Sequence, residues 1–422
     1  MKKLAVLFLA SAAILPLRAE NLLGNPGFEE SKQVPWQTWP QTSSRSTENP
    51  ASGKMCMAVP ALKDKGEYLL HKNIPAEPGY AYICKLKTRS DDCKRALEVV
   101  LVFRDKKGNV VNTAKVITRS ATKDWVESQG AGIASEKAAT VDVSIEVPPG
   151  TGTFYVDDVS LEQGSRILGK AGSSKLERVK GGLQIVTPSC TMEFIENRNF
   201  GLSGIKFNGG QSLRHFTLSV PVQGKDQKSQ SFYIVNRNIV TNLEAELRDD
   251  GLFFAVEERF PLVKVRRIVE CYENAPYIKM TCDLEALEDF KSSQAVMNFT
   301  FTAGLIAQGR DPKVKYKKWT RTNEWFNLDR PDDPRLLSFL NAEGKNGIAL
   351  IGADKTSWEQ LPGRLLSNDS GKEADPAFGT ELVKWRGAEI RKGDKVSFEV
   401  FLAPVENHDK AVELAGKLCP AD

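Results

Sequence analysis

The chain predicts an all-β protein: an N-terminal jelly-roll β-sandwich followed by a larger antiparallel β-supersandwich-like domain with a short C-terminal helix. Three observations carry the all-β class. Every second residue is apolar over short runs such as Leu97-Glu98-Val99-Val100-Leu101-Val102-Phe103 and Val141-Asp142-Val143-Ser144-Ile145-Glu146-Val147. Turn residues close each run, Asp105-Lys106-Lys107-Gly108 after the first and Pro148-Pro149-Gly150 after the second. Period-two alternation bounded by Gly, Pro and Asp marks strands of a sandwich, and the region from Gly66 to Leu161 shows no helical period.

Taken in order, residues 1–19 read as a secretory leader. Lys2 and Lys3 precede an apolar stretch from Leu4 to Leu15, and Ala19 offers a small residue before Glu20, the pattern of an export signal that is cleaved. The apolar run is shorter than the ~20 residues that span a bilayer, so the mature chain is expected to begin at Glu20, without a membrane span, and to be secreted or periplasmic. Residues 20–162 form the first domain, with a strand Tyr80–Leu86 started by Pro78-Gly79. Residues 163–174 hold three glycines and no long apolar run, which reads as a linker. Residues 175–422 form the second domain. Its strands are expected at Gly182–Val186, Cys190–Ile195, Leu252–Val256, Val265–Tyr272 and Tyr277–Leu284, separated by turns such as Asp249-Asp250-Gly251. Helix is expected at Asp332–Phe339 and at the end, where Asp409 can cap a helix reaching Leu418 before Pro420.

Composition bounds the function. The 58 basic residues fall to 55 once Lys2, Lys3 and Arg18 leave with the leader, against 54 acidic ones, too even to point to nucleic acid or an anionic membrane as partner. Seven cysteines without a C-x-x-C pair indicate neither zinc nor a dense disulfide framework. Cys84 with Cys93, or Cys271 with Cys282, can pair in an oxidising compartment; the alternative is buried free thiols.

Two segments carry the chemistry of the first domain. Asn21-Leu22-Leu23-Gly24-Asn25-Pro26-Gly27-Phe28-Glu29 and Thr153-Phe154-Tyr155-Val156-Asp157-Asp158-Val159-Ser160-Leu161-Glu162 each set acidic side chains beside an apolar strand core. The first and last strands of a jelly roll lie close together, so both can supply oxygens to one ion, and oxygen-only ligation suits calcium. Carbohydrate recognition needs flat apolar faces with planar polar groups beside them. Val34-Pro35-Trp36-Gln37-Thr38-Trp39-Pro40-Gln41 offers both, so Trp36 and Trp39, with Gln37 and Gln41, are the expected sugar platform; the competing role for Trp36 is packing on the sandwich. Trp125 reads as core, and Arg89, Asp91, Asp92 and Arg95 as a solvated loop cluster.

With the Gly53-Lys54 step, Pro78-Gly79-Tyr80 and Trp125 falling in order between them, these two end segments make residues 21–162 similar to carbohydrate-binding modules of families 4, 9 and 22, which share the galactose-binding-like jelly roll. The resemblance implies a structural calcium held by the Gly27 carbonyl, the Glu29 carboxylate, a carbonyl at Gly53 or Lys54, and Asp157, with Asp158 the lesser candidate. It implies a polysaccharide or oligosaccharide as partner.

In the second domain, the run from Met192 to Gly210 resembles the opening hairpin of mutarotase-like supersandwich domains. No motif there assigns a reaction, and the catalytic residues are unknown at this point. The half contains two histidines, His215 and His408, and its many carboxylates, among them Glu193, Glu257, Glu258, Asp329 and Asp333, single out no pair. Lys315 to Arg330 interleaves Trp319 and Trp325 with basic and amide groups, either a sugar site or a loop capping the core. The expected function is an exported carbohydrate-binding protein of a polysaccharide-degrading system. A glycoside hydrolase or polysaccharide lyase with catalysis in the second domain, and a cell-envelope adhesion protein, are the alternatives.

Overall fold

A computed structural model describes residues 20–30, 35–208, 210, 212–223, 229–233, 240–273, 275–292, 296–301, 306–308, 336–341, 343, 345–353, 364–367, 376–381 and 388–419. Lys315–Arg330, Trp358 and Trp385 lie outside these. Strands dominate, as the alternating runs predict. The first domain contains β1 (Trp36–Trp39), β2 (Ser44–Ser46), β3 (Cys56–Pro60), β4 (Glu67–Pro75), β5 (Tyr80–Asp91), β6 (Leu97–Arg104), β7 (Val110–Arg119), β8 (Val126–Ile133), β9 (Thr140–Val147) and β10 (Thr153–Arg166). They form two five-stranded antiparallel sheets, β1-β4-β9-β6-β7 and β2-β3-β10-β5-β8.

Alternation decides which face each residue serves. Leu97, Val99, Leu101 and Phe103 of β6 and Val141, Val143 and Ile145 of β9 point inward and are fully buried, each burial stabilising by about 1.5–3 kcal/mol. Along β5 the pattern does more. Tyr82, Cys84 and Leu86 enter the core of this sandwich, whereas Ala81, paired with Ile133, joins the core of the second unit, together with Ala131. Gln129 Nε2 donates to Thr241 O at 2.7 Å and Arg178 Nη2 to Ile133 O at 3.0 Å across the same junction. One sheet of the module therefore abuts the second unit, and the β1-β4-β9-β6-β7 sheet lies on the far side of the sandwich.

The expected linker is a different structure. β10 continues to Arg166, Ile167 and Leu168 are buried, and strands Gly169–Ala171 and Ser174–Val179 follow at once. Ile167 and Leu168 dock the connection, both donating to Gly79 O, and the glycines do not prevent strand pairing beyond them. The second unit holds a sheet of twelve described strands and a sheet of eight, whose buried residues share one core. Asp332–Phe339, expected as helix, contains a strand: Leu336–Leu340 pairs antiparallel with Gly347–Gly352, and sheet pairing overrides the local helical spacing; residues 332–335 lie outside the described residues. The last helix spans His408–Leu418, and its cap is Asn407, whose side chain accepts from Lys410 N, rather than Asp409, which sits in the first turn. Neither cysteine pairing occurs; all seven are free. Cys271 and Cys282 stand opposite Ile278 and Arg267, four rungs or about 13 Å apart, beyond disulfide reach. Cys84 lies inside β5 and Cys93 past its end.

Candidate functional site

The two ends of the first domain meet, although the opening segment is irregular rather than a strand. Leu22 N donates to Leu161 O at 2.8 Å and Val159 N to Pro26 O at 2.9 Å. The Asn21 side chain accepts from Leu161 N and donates to Val159 O. β10 bulges between Asp157 and Ser160, with Asp158 in the left-handed region at φ 48°. Asp157, fully buried, accepts from Ala51 N at 2.8 Å, Ser52 N at 3.2 Å and Asp158 N at 2.8 Å. Glu29 Oε1 accepts from Lys54 N at 2.7 Å and Met55 N at 3.0 Å.

Gly27 lies between these carboxylates: a Cβ there would stand 3.6 Å from Asp157 Oδ1, 3.8 Å from Glu29 Cγ and 4.0 Å from Asp158 Oδ1. At Gly53, φ +57°, a Cβ would come within 2.2 Å of Glu29 Oε1. The structure thus gathers Gly27, Glu29, Lys54 and Asp157 into one cluster. Burial pushes the Asp157 carboxyl above its ordinary pKa, its amide donors pull it back, and the Asp158 charge pushes it up again. Burial also works against the Asp158 charge, yet the Ser52 hydroxyl and Lys87, 2.9 Å away, hold that carboxyl below its ordinary value. Among the described residues no lysine or arginine forms a direct ion pair with Asp157 or Glu29, and Lys87, paired with Asp158, acts on Asp157 only at longer range. No three His, Cys, Asp or Glu side chains converge as a metal site among the described residues. A cation here would rest on two carboxylates and backbone oxygens, a donor set fitting a hard ion such as calcium.

Strand geometry separates the residues of the expected platform. β1 is a strand, so residues three apart fall on opposite faces. Trp36 turns inward, 3% exposed, with its ring 5.4 Å from Phe28 and 5.1 Å from His71. It is a core residue and not part of a platform. Trp39 turns outward and is 69% exposed, beside exposed Gln37, with exposed Gln41 on the turn beyond. Trp125 is half-buried; its indole donates to Asn49 O at 2.8 Å and Arg89 lies between it and the Tyr155 ring.

Cross-strand register extends the outer face beyond what the sequence places together. Trp39 stands opposite Tyr68, Tyr68 opposite Glu146, Glu146 opposite Glu98, and Glu98 opposite Thr118. This row crosses all five strands, about 19 Å at the usual strand spacing. The next row runs Gln37, Leu70, Ser144, Val100 and Lys115. Ser144 Oγ donates to Glu146 at 3.2 Å, and Lys115 pairs with Glu98 at 2.7 Å. The outer face thus carries aromatic rings at one edge and hydrogen-bonding groups inward of them, with Ser144 itself buried. No local motif could reveal Tyr68, Glu98 or Glu146; only the alternation of β4, β6 and β9 bears on them.

Beneath β1, His71 is buried and its Nε2 accepts from Gly24 N at 3.2 Å. Burial pushes its pKa down, with Asp142 pulling the other way. A histidine held neutral in the fold but free to charge when unfolded stabilises fully above about pH 6.5 and loses that contribution as the pH falls below it. Melting temperatures from pH 8 to pH 5 should fall at the acidic end, and His71→Gln should flatten this limb.

In the second unit, His215 falls on the strand Ser212–Gln223, opposite Thr300. His408 Nδ1 lies 2.8 Å from the buried Ser338 Oγ at the start of the last helix. Glu258, fully buried, meets Arg267 at 2.8 Å. Glu193, Glu257 and Glu258 do not converge: Glu257 pairs with Lys264 on the outer face, Glu193 is exposed on another sheet, and Asp329 and Asp333 lie outside the described residues. Among the described residues no helix is long and apolar enough to cross a membrane.

No protein-family model matches the chain, and no curated protein matches it. The solved structures similar to it include carbohydrate-binding modules. A family 16 carbohydrate-binding module matches at 17% identity and TM-score 0.29, covering 33% of this chain and 99% of its own. The CBM22-1 xylan-binding domain from Paenibacillus barcinonensis matches at 14% identity and TM-score 0.29, covering 34% and 95%. The enzymatically active domain of tailspike protein 4 from bacteriophage CBA120 matches at 12% identity and TM-score 0.30 over 34% of this chain, which spans 21% of the tailspike chain.

Proposed function

We propose that this is a glycan-binding protein whose first domain holds a neutral polysaccharide chain across the outer face of the β1-β4-β9-β6-β7 sheet, with a calcium ion clasping the domain's two ends. In this reading it is exported after loss of residues 1–19 and serves a polysaccharide-degrading system. The observation that carries it is the registered row from Trp39 through Tyr68 and Glu146 to Glu98 on the face turned away from the second unit. An exposed indole next to a tyrosine stacks on the C–H face of a pyranose, and the carboxylates accept from adjacent hydroxyls. Glu146 beside the rings disfavours a polyuronate, whose like charge would sit against it. The cation would act on stability by joining ends that otherwise fray, not by touching sugar.

Affinity electrophoresis through neutral β-glucan, xylan, mannan and galactan, with polygalacturonate alongside, tests this. The full protein should be retarded by at least one neutral polymer and not by polygalacturonate. Trp39→Ala should weaken retention about 30-fold, the loss expected of a dominant aromatic contact, with an unchanged melting temperature because the indole is exposed. Equal retention of wild type and Trp39→Ala would remove the proposed face.

A further inference from the structure

We infer that Trp36 is a positioning residue that couples the cation clasp to the glycan face; the inference rests on the proposed calcium and glycan reading. β1 has four residues and lies at the edge of its sheet, with β4 as its one strand neighbour among the described residues. What fixes it from the other side is Trp36. Its indole N–H is shared between Gly24 O and Asn25 O, each at 3.2 Å, and its ring packs on Phe28 and His71. Gly24–Glu29 therefore carries the acceptors that hold β1 at one end, and Gly27 and Glu29 of the clasp at the other.

That segment is short and stiff. Asn25 and Phe28 both adopt left-handed backbone, φ 48° and 58°, conformations that persist where surrounding contacts impose them. Asn25 is 8% exposed with its side-chain nitrogen buried and unpartnered among the described residues. From β2, Arg45 donates to Phe28 O and Glu29 O, both at 2.7 Å. A strap so constrained shifts as one piece. A cation that fixes Gly27 and Glu29 fixes Gly24 and Asn25, thereby Trp36, and thereby the rotation of β1 that presents Gln37 and Trp39. Coupling of this kind is reciprocal, so sugar bound on β1 tightens the cation by the same factor.

The test is hydrogen exchange of the β1 amides in the full protein, in saturating calcium chloride and in EDTA, with calcium binding measured separately by calorimetry. In the wild type, calcium should slow β1 exchange about tenfold, a typical coupling. Trp36→Phe, which keeps a ring but not the N–H, should still take up one calcium yet show β1 exchange insensitive to it. Arg45→Gln, which leaves the core intact, should show the same uncoupling should Trp36→Phe fail to fold. Calcium binding without any change at β1 in the wild type overturns the coupling and leaves the cation reading standing. Absence of calcium heat overturns both.

Discussion

Asp157→Ala is expected to lower the melting temperature of the chelated protein by about 10 °C. The side chain is fully buried and accepts three amide hydrogen bonds, from Ala51, Ser52 and Asp158. Removing it orphans those donors at about 1–3 kcal/mol each where water cannot reach them. Relief from burying a charge offsets part of this, leaving a loss near ~3 kcal/mol, which for a domain of this size corresponds to the stated shift. Asp157→Asn separates the clasp's two functions. It keeps the shape and one accepting oxygen, so in EDTA it should melt closer to the wild type than the alanine variant. In calcium, at about a hundredfold over the dissociation constant, the wild type should gain about 2.7 kcal/mol and Asp157→Asn nothing. Differential scanning calorimetry in the two buffers reads both, and a wild-type melt indifferent to chelation would remove the cation.

Arg267→Ala is expected to cost the second unit about 3–5 kcal/mol, the usual consequence of leaving a buried charge without its partner. Arg267 Nε meets Glu258 at 2.8 Å, and its two terminal nitrogens donate to Asn199 O at 2.7 Å and Phe200 O at 3.1 Å. Asn199 and Phe200 are consecutive left-handed residues, φ 56° and 50°, so one guanidinium both neutralises a carboxylate and pins a turn. Burial pushes the Glu258 carboxyl up and Arg267 pulls it back; with the arginine gone, the carboxyl must take a proton or draw in water. Arg267→Lys keeps the charge but loses the planar fork and should fall between wild type and alanine in urea unfolding. Alanine as stable as wild type would show that the turn holds by itself.

The strands that were legible in the sequence are those with one buried face. Leu97–Phe103 and Val141–Val147 appear within a residue or so of the structure because every second residue there is apolar and faces the core. Short strands such as β2, with few apolar residues, left no such trace. Leu336–Leu340 misread as helix because its neighbours on the sheet, not its own spacing, decide its conformation. The meeting of Glu29 with Asp157 was legible because they lie in two contiguous segments at the ends of one domain, with Lys54 supplied from between them. Half of the proposed face was not, because Tyr68, Glu98 and Glu146 are brought to Trp39 by register across strands distant in sequence. Trp36 and Trp39 show the same lesson in miniature: a spacing of three puts two indoles on one side of a loop but on opposite sides of a strand.

The central claim, that sugar lies on the β1 edge of the outward sheet, is tested most directly by the indole N–H resonances of the protein titrated with a hexasaccharide of the polymer that retards it. Assigned through Trp39→Phe, the Trp39 signal should shift on saturation while those of buried Trp36 and of Trp125 stay in place. Saturable binding that leaves Trp39 unmoved and shifts Trp125 or a tryptophan of the second unit would contradict the account.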